Sequence, residues 1–133
     1  MSEYPKSKIV LKQAQTQAEV EKRGEVGKPS ASRKDDYGKP PLNLLDRYSL
    51  EQVASVLAFG AEKYHAHNWR GGLASSRLSA AALRHIFAWL DGENLDTESG
   101  LSHLAHAQCC LMFLLRLMKD KPELDDRYKG EGR

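Results

Sequence analysis

LSAAALRHIFAWLDGENLDTESGLSHLAHAQCCLMFLLRL, residues 78–117, decides the fold. Leu78, Ala81, Ala82, His85, Ile86 and Trp89 recur at intervals of three and four, which predicts a helix with a broad inward stripe. Ser75 or Ser76 is placed to cap its start. The chain then runs through DGE into the loop NLDTE, and a second helix begins near Ser99 or Ser102. That helix runs through Leu104, Leu111, Leu114 and Leu115 to about Lys119 and stops before Pro122. Two helices therefore meet at a short polar loop.

Working outward, SLEQVASVLAFGAEKY (residues 49–64) predicts a third helix, with Ser49 as N-cap and Gln52 completing a capping box. Leu50, Val53, Val56, Leu57 and Ala61 give it one buried face. Before it, Pro40 and Pro41 exclude helix and favour an extended stretch. No alternating strand pattern and no internal repeat is present, so the expectation is an all-α helical domain over residues 34–120. Residues 1–33 are expected to be a polar, partly disordered arm with a short helix through LKQAQTQAEVEKR, and 121–133 a polar tail. Because CCLMFLLRLM is apolar on more than one face, a single copy would leave part of it in water, which predicts a homo-oligomer.

Composition limits the function classes. A chain of 133 residues supports one modest domain; 41% hydrophobic and 29% charged residues are ordinary for a soluble protein. No apolar run approaches the roughly 18 residues of a membrane span, and MSEYPKSKIV lacks the apolar stretch of a signal peptide, so a cytoplasmic protein is expected. Cys109 and Cys110 are neighbours, which disfavours an ordinary disulfide and suits buried thiols in a reducing compartment. Residues 1–40 hold nine Lys or Arg against six Asp or Glu, and the remainder 11 against 12, so the net +2 lies wholly in the arm. That arm mixes signs and has few aromatic residues, and nucleic acid is not the expected partner.

The chemistry-bearing residues gather around the loop. His85, Asp91, Glu93, Asp96, Glu98, His103 and His106 have the composition of a divalent-metal site. His103 and His106 are three apart and lie on one helical face. Imidazole mixed with carboxylate suits manganese, zinc, iron or nickel, whereas magnesium sites are normally built of oxygen alone. Lys63, Arg70, Arg77 and Arg84 lie within about twenty residues, mixed with Tyr64, Asn68 and Trp69. Cations of this kind suit polyphosphate, and an aromatic ring with an Asn suits a base.

The strings FGAEKY, NWRGG, LRHIFAW, DGENLDTESGL and HLAHA occur in that order within residues 34–118. Together they resemble the phage-type dATP/dGTP diphosphohydrolase N-terminal domain family, which includes MazZ-type enzymes. The resemblance implies a MazG-like helical bundle, assembled as a dimer or tetramer, that removes pyrophosphate from purine deoxynucleoside triphosphates and adjusts a phage nucleotide pool. It implies a divalent cofactor, Mg2+ or Mn2+, though the EExxE string of MazG-like enzymes is absent, and LRHIFAW and HLAH stand where their acidic helices would. Either His85, His103 and His106 with loop acids have replaced those ligands, or the fold has lost its metal and only binds. On the first alternative His85, Glu93, His103 and His106 hold the metal, and Asp96 and Glu98 act as ligands or orient water. Lys63, Arg70, Arg77 and Arg84 then face the phosphates, while Tyr64, Asn68 and Trp69 hold the purine. A catalytically silent nucleotide-binding protein is the second function class and a small nucleic-acid-binding helical protein the third.

Overall fold

The computed structural model describes residues 31–130. These divide at Leu45 and Asp46 into two units, and all the long helices belong to the second. In the first unit a turn closes with the Lys39 amide donating to the Asp36 carbonyl, followed by one 3-10 turn at Leu42–Leu44. The expected short helix at residues 11–23 lies outside the described residues.

Three helices make the second unit: α1 at Arg47–Lys63, α2 at Ser75–Leu90 and α3 at His103–Asp120. An isolated pairing of Leu95 with Ser102 is the extent of β-structure among the described residues. The all-α expectation holds.

α1 starts three residues earlier than the capping-box reading placed it. Asp46, in extended conformation, accepts the Ser49 amide at 2.8 Å, so Ser49 belongs to the first turn and does not cap it. An Asp ahead of Arg47 offers a charged acceptor to amides that the helix leaves unpaired, which a neutral serine further in cannot match. Val53 and Val56 are buried, whereas Leu50 stays largely exposed.

α2 differs at both ends. Its N-cap residue is Ala74, and neither Ser75 nor Ser76 caps it alone. The first turn is closed by Asp126, from beyond α3. Its Oδ1 accepts the Ser75 hydroxyl at 2.7 Å and the Ser76 amide at 2.8 Å, its Oδ2 accepts the Ser76 hydroxyl, and its own amide donates to Ser75 Oγ at 3.1 Å. At the other end Trp89, expected inward, is 41% exposed.

α3 packs antiparallel to α2 and also contacts α1. Its cap is Ser102, whose hydroxyl accepts the Leu104 amide. In the core Ala105 and Cys109 of α3 pack with Val53 and Val56 of α1, and Leu78, Ala82, Ala107 and the 1% exposed Leu117 are buried as well. Leu104, Leu111 and Leu115 are exposed, the last two within the stretch expected to be apolar on more than one face. Cys109 and Cys110 are free thiols, and burial pushes Cys109 up to about 12.

Between α1 and α2 the chain makes a 3-10 turn at Asn68–Gly71. Gly72 then adopts φ 109°, and a Cβ there would stand 2.9 Å from Leu124, so the position requires glycine twice over. Lys121 Nζ donates to the Gly71 carbonyl at 2.9 Å. Residues 121–126, read from sequence as part of a polar tail, thus return across both the turn and the start of α2.

Candidate metal centre at the α2–α3 hairpin

The loop between α2 and α3 is held by its own backbone. Gly92, at φ 100°, reverses the chain after α2, and the Glu93 amide donates to the Ala88 carbonyl. Asp96 Oδ1 then accepts the amides of Glu98 and Ser99 at 3.0 and 2.9 Å, an Asx turn that fixes the carboxylate. The His103 amide donates to the Asn94 carbonyl, which seats the first residue of α3 beneath the loop.

Three imidazoles meet there. His85 Nδ1 lies 2.8 Å from His103 Nδ1, and the His85 ring stacks on His106 at 4.6 Å between centroids, 12° from parallel. His103 is 4% exposed, and its Nε2 donates to Glu93 Oε1 at 2.8 Å. With the His103 proton on Nε2, its Nδ1 presents a lone pair, and His85 Nδ1–H supplies the bridging proton. His106 Nε2 is paired with Ser99 Oγ at 2.7 Å.

Burial works against charge on two of these rings. Burial, then the neighbouring His106 and His103, lowers the His85 pKa, with Asp96 opposing. Burial likewise lowers His106, against the opposing pull of Asp96. Burial works to raise the Asp96 carboxyl, but the hydrogen bonds from Ser99, the nearby His106 and the Glu98 amide together hold it below the usual carboxylate range.

One donor atom from each of His85, Asp96 and His103 lies within 4.8 Å of the others. Ligands of one ion at about 2.0–2.1 Å with bond angles of 90–109° stand roughly 2.9–3.3 Å apart, close to the 2.8 Å between the two Nδ1 atoms. The histidine pair thus has the spacing of two ligands of one ion, and Asp96 makes the group a candidate metal-binding triad. Of the residues the sequence marked for metal, His85 and His103 converge and Asp96 joins them. Glu93 stands behind His103, on the far edge of its ring, and His106 lies alongside with its Nε2 engaged.

The cationic residues are placed less uniformly. Lys63 Nζ bonds Glu98 Oε1 at 2.7 Å, so this pair sits at the loop beside the histidines, with Tyr64 next to Lys63. The Glu98 hydrogen bond raises the Lys63 pKa. Arg84 adjoins His85 on α2, with Arg77 two turns away and exposed. Asn68, Trp69 and Arg70 lie elsewhere, on the 3-10 turn. Trp69 stacks on Phe113 at 4.4 Å, and the Arg70 guanidinium stands 4.5 Å from its centre. Two planar groups so close to one ring fit only on opposite faces, leaving Trp69 little surface for a base. Ser99 and Phe113 were not singled out from sequence. The spacing Asp96-x-x-Ser99 is the one local signal that could have marked Ser99, as part of the turn.

The described helices include none long and apolar enough to cross a membrane. No solved structure matches the chain. The family described as dATP/dGTP diphosphohydrolase, N-terminal, matches residues 29–127. The dATP/dGTP diphosphohydrolase of Salmonella phage PMBT28 is 45% identical over 94 residues, 71% of this chain but 32% of the relative, so the chain spans about a third of that protein's length. With most of its length matched, including the whole histidine-bearing hairpin, the chain belongs to the dATP/dGTP diphosphohydrolase N-terminal domain family.

Proposed function

We propose that this chain hydrolyses purine deoxynucleoside triphosphates, dGTP or dATP, to the monophosphate and pyrophosphate in a metal-dependent reaction. The observation that carries the reading is the convergence of His85, His103 and Asp96 inside a domain of this family. A divalent ion bound there, magnesium or manganese among the candidates, would withdraw charge from the triphosphate and activate water. His85 and His103, with facing nitrogens, supply two of the donors, and Asp96, held ionised by its turn, supplies the third. Lys63 and Arg84 stand where they can meet phosphate oxygens, Lys63 by exchanging Glu98 for substrate. Glu98, once released, can accept a proton from attacking water. Asn68 and Arg70, with Tyr64 and Arg77, are the remaining candidates for holding nucleotide, and Trp69 serves as their anchor on Phe113.

The exposed apolar stripes support assembly. Leu83, Phe87 and Leu90 on α2 and Leu104, Leu111 and Leu115 on α3 repeat at three, four and seven, with Phe87 59% and Leu115 64% exposed. A second copy of the hairpin would cover them as a helical bundle, a dimer or a pair of dimers. In a phage-infected cell the activity would adjust the purine nucleotide pool, in the cytoplasm.

One observation favours a silent nucleotide-binding protein instead. Among the described residues no buried side-chain nitrogen or oxygen lacks a partner, so the histidine cluster is satisfied without an ion. Incubation with each of four dNTPs, with magnesium, manganese or a chelator, separates the readings. Metal-dependent pyrophosphate with a matching monophosphate is expected. Tight nucleotide binding that survives chelation, without turnover, would overturn the enzyme in favour of the binder.

A further inference from the structure

We infer that the cluster is a two-histidine, one-carboxylate transition-metal centre, with His85, His103 and Asp96 as ligands and Glu93 as the carboxylate that orients His103, and that it prefers ions such as cobalt or zinc to magnesium. This rests on the metal reading above and narrows it to an ion class and a division of roles. Magnesium keeps oxygen ligands and gives up water reluctantly, so two imidazoles at its shell are a poor exchange. First-row transition ions bind imidazole strongly, and affinity rises toward the end of the series.

The roles follow from which edge of each ring is engaged. A metal-bound histidine usually donates its other N–H to a carboxylate, which fixes the tautomer and raises ligand basicity. His103 has that arrangement: Nε2 on Glu93 at 2.8 Å, Nδ1 facing His85. Glu93 is therefore on the wrong side of the ring to be a ligand itself. Ion entry replaces the single Nδ1–H···Nδ1 bond, and needs only that the His85 proton pass from Nδ1 to Nε2 by exchange with water. His85 and Asp96 are half-buried while His103 is enclosed, so the open coordination positions face outward, where substrate and water arrive.

The three ligands come from α2, the loop and α3, so a bound ion ties the hairpin together. Binding should raise thermal stability in proportion to occupancy, without any nucleotide. The test is calorimetric titration, cobalt absorption spectroscopy and thermal denaturation of the untagged full chain with cobalt, zinc, manganese or magnesium. Expected are one cobalt or zinc per chain, a visible cobalt spectrum and a higher Tm, with weaker effects from manganese and least from magnesium. Glu93→Gln should weaken cobalt by about 10–100-fold, and Asp96→Asn and His85→Ala by more. Should His85→Ala fail to fold, Asp96→Asn carries the same comparison. Magnesium binding as tightly as cobalt, or cobalt affinity unchanged in Asp96→Asn and Glu93→Gln, would overturn the inference. Cobalt binding as expected with no dNTP turnover under any metal would leave this centre standing and refute the enzyme reading alone.

Discussion

At one end of the α2–α3 pair Asp126 closes the start of α2; at the other, His85, His103 and Asp96 face one another. Both ends are polar, yet their donor atoms are spent differently. Asp126 uses both oxygens and its amide on Ser75 and Ser76, and the cavity of about 500 Å3 beside it is floored by Leu114 and Met118. At the histidine end two ring nitrogens share one proton. Capacity for chemistry here tracks lone pairs held near one another, and cavity size follows the packing of the helix ends.

The comparison breaks most visibly if the two ends can be damaged independently. His85→Ala or Asp96→Asn is expected to reduce pyrophosphate release by more than the roughly 100-fold that loss of an outer-shell partner costs, with circular dichroism unchanged. Leu117→Ala, in the seam between the ends, should cost about 2–5 kcal/mol of stability in urea unfolding, because the side chain is 1% exposed. A loss under about 1 kcal/mol would mean that the seam is looser than its burial indicates.

Asp126→Ala is expected to lower Tm by less than Leu117→Ala while leaving turnover at saturating nucleotide unchanged. Its acid dependence sharpens the point. Hydrogen bonds from the Ser76 hydroxyl, then the Ser75 hydroxyl and Ser76 amide, hold the Asp126 carboxyl below its ordinary value of 3.8. A carboxyl lowered on folding stabilises the native state above its unfolded pKa, and that contribution fades as pH falls through the folded value. The Tm gap between wild type and Asp126→Ala should therefore stay constant from neutral pH to about 4 and close below it. A gap that closes near pH 6 would point to the histidines instead. Smallest of all, Lys63→Met should raise KM for dNTP a few-fold with little change in kcat, since Lys63 is exposed and already paired with Glu98.

Much of the fold was legible because helix signals are local. The α3 cap at Ser102 and its stop before Pro122 follow from residues within one turn of each end. Where the reading missed, distant partners decided: Asp126 is about fifty residues from the helix it caps. Trp89 had inward helical spacing but lies in the last turn of α2, before the loop, and stays 41% exposed. At the site, the sequence marked His85 and His103 but put Glu93 and His106 ahead of Asp96 as ligands, whereas the converging donors are those of His85, His103 and Asp96.

By itself, then, the sequence determined an all-α chain, the extents of its helices to within a few residues, the donor types at the hairpin and, through its ordered motifs, the family. Periodicity, capping and residue chemistry act over at most a turn or two of chain, so they can be read in one dimension. Only the tertiary structure decided which nitrogen of each ring faces its neighbour, that Glu93 stands behind His103, that Lys63 is held by Glu98, and that Trp69 rests on Phe113. The direction of a lone pair depends on how one helix lies across another, and a loop acid acquires its role from the ring edge it meets.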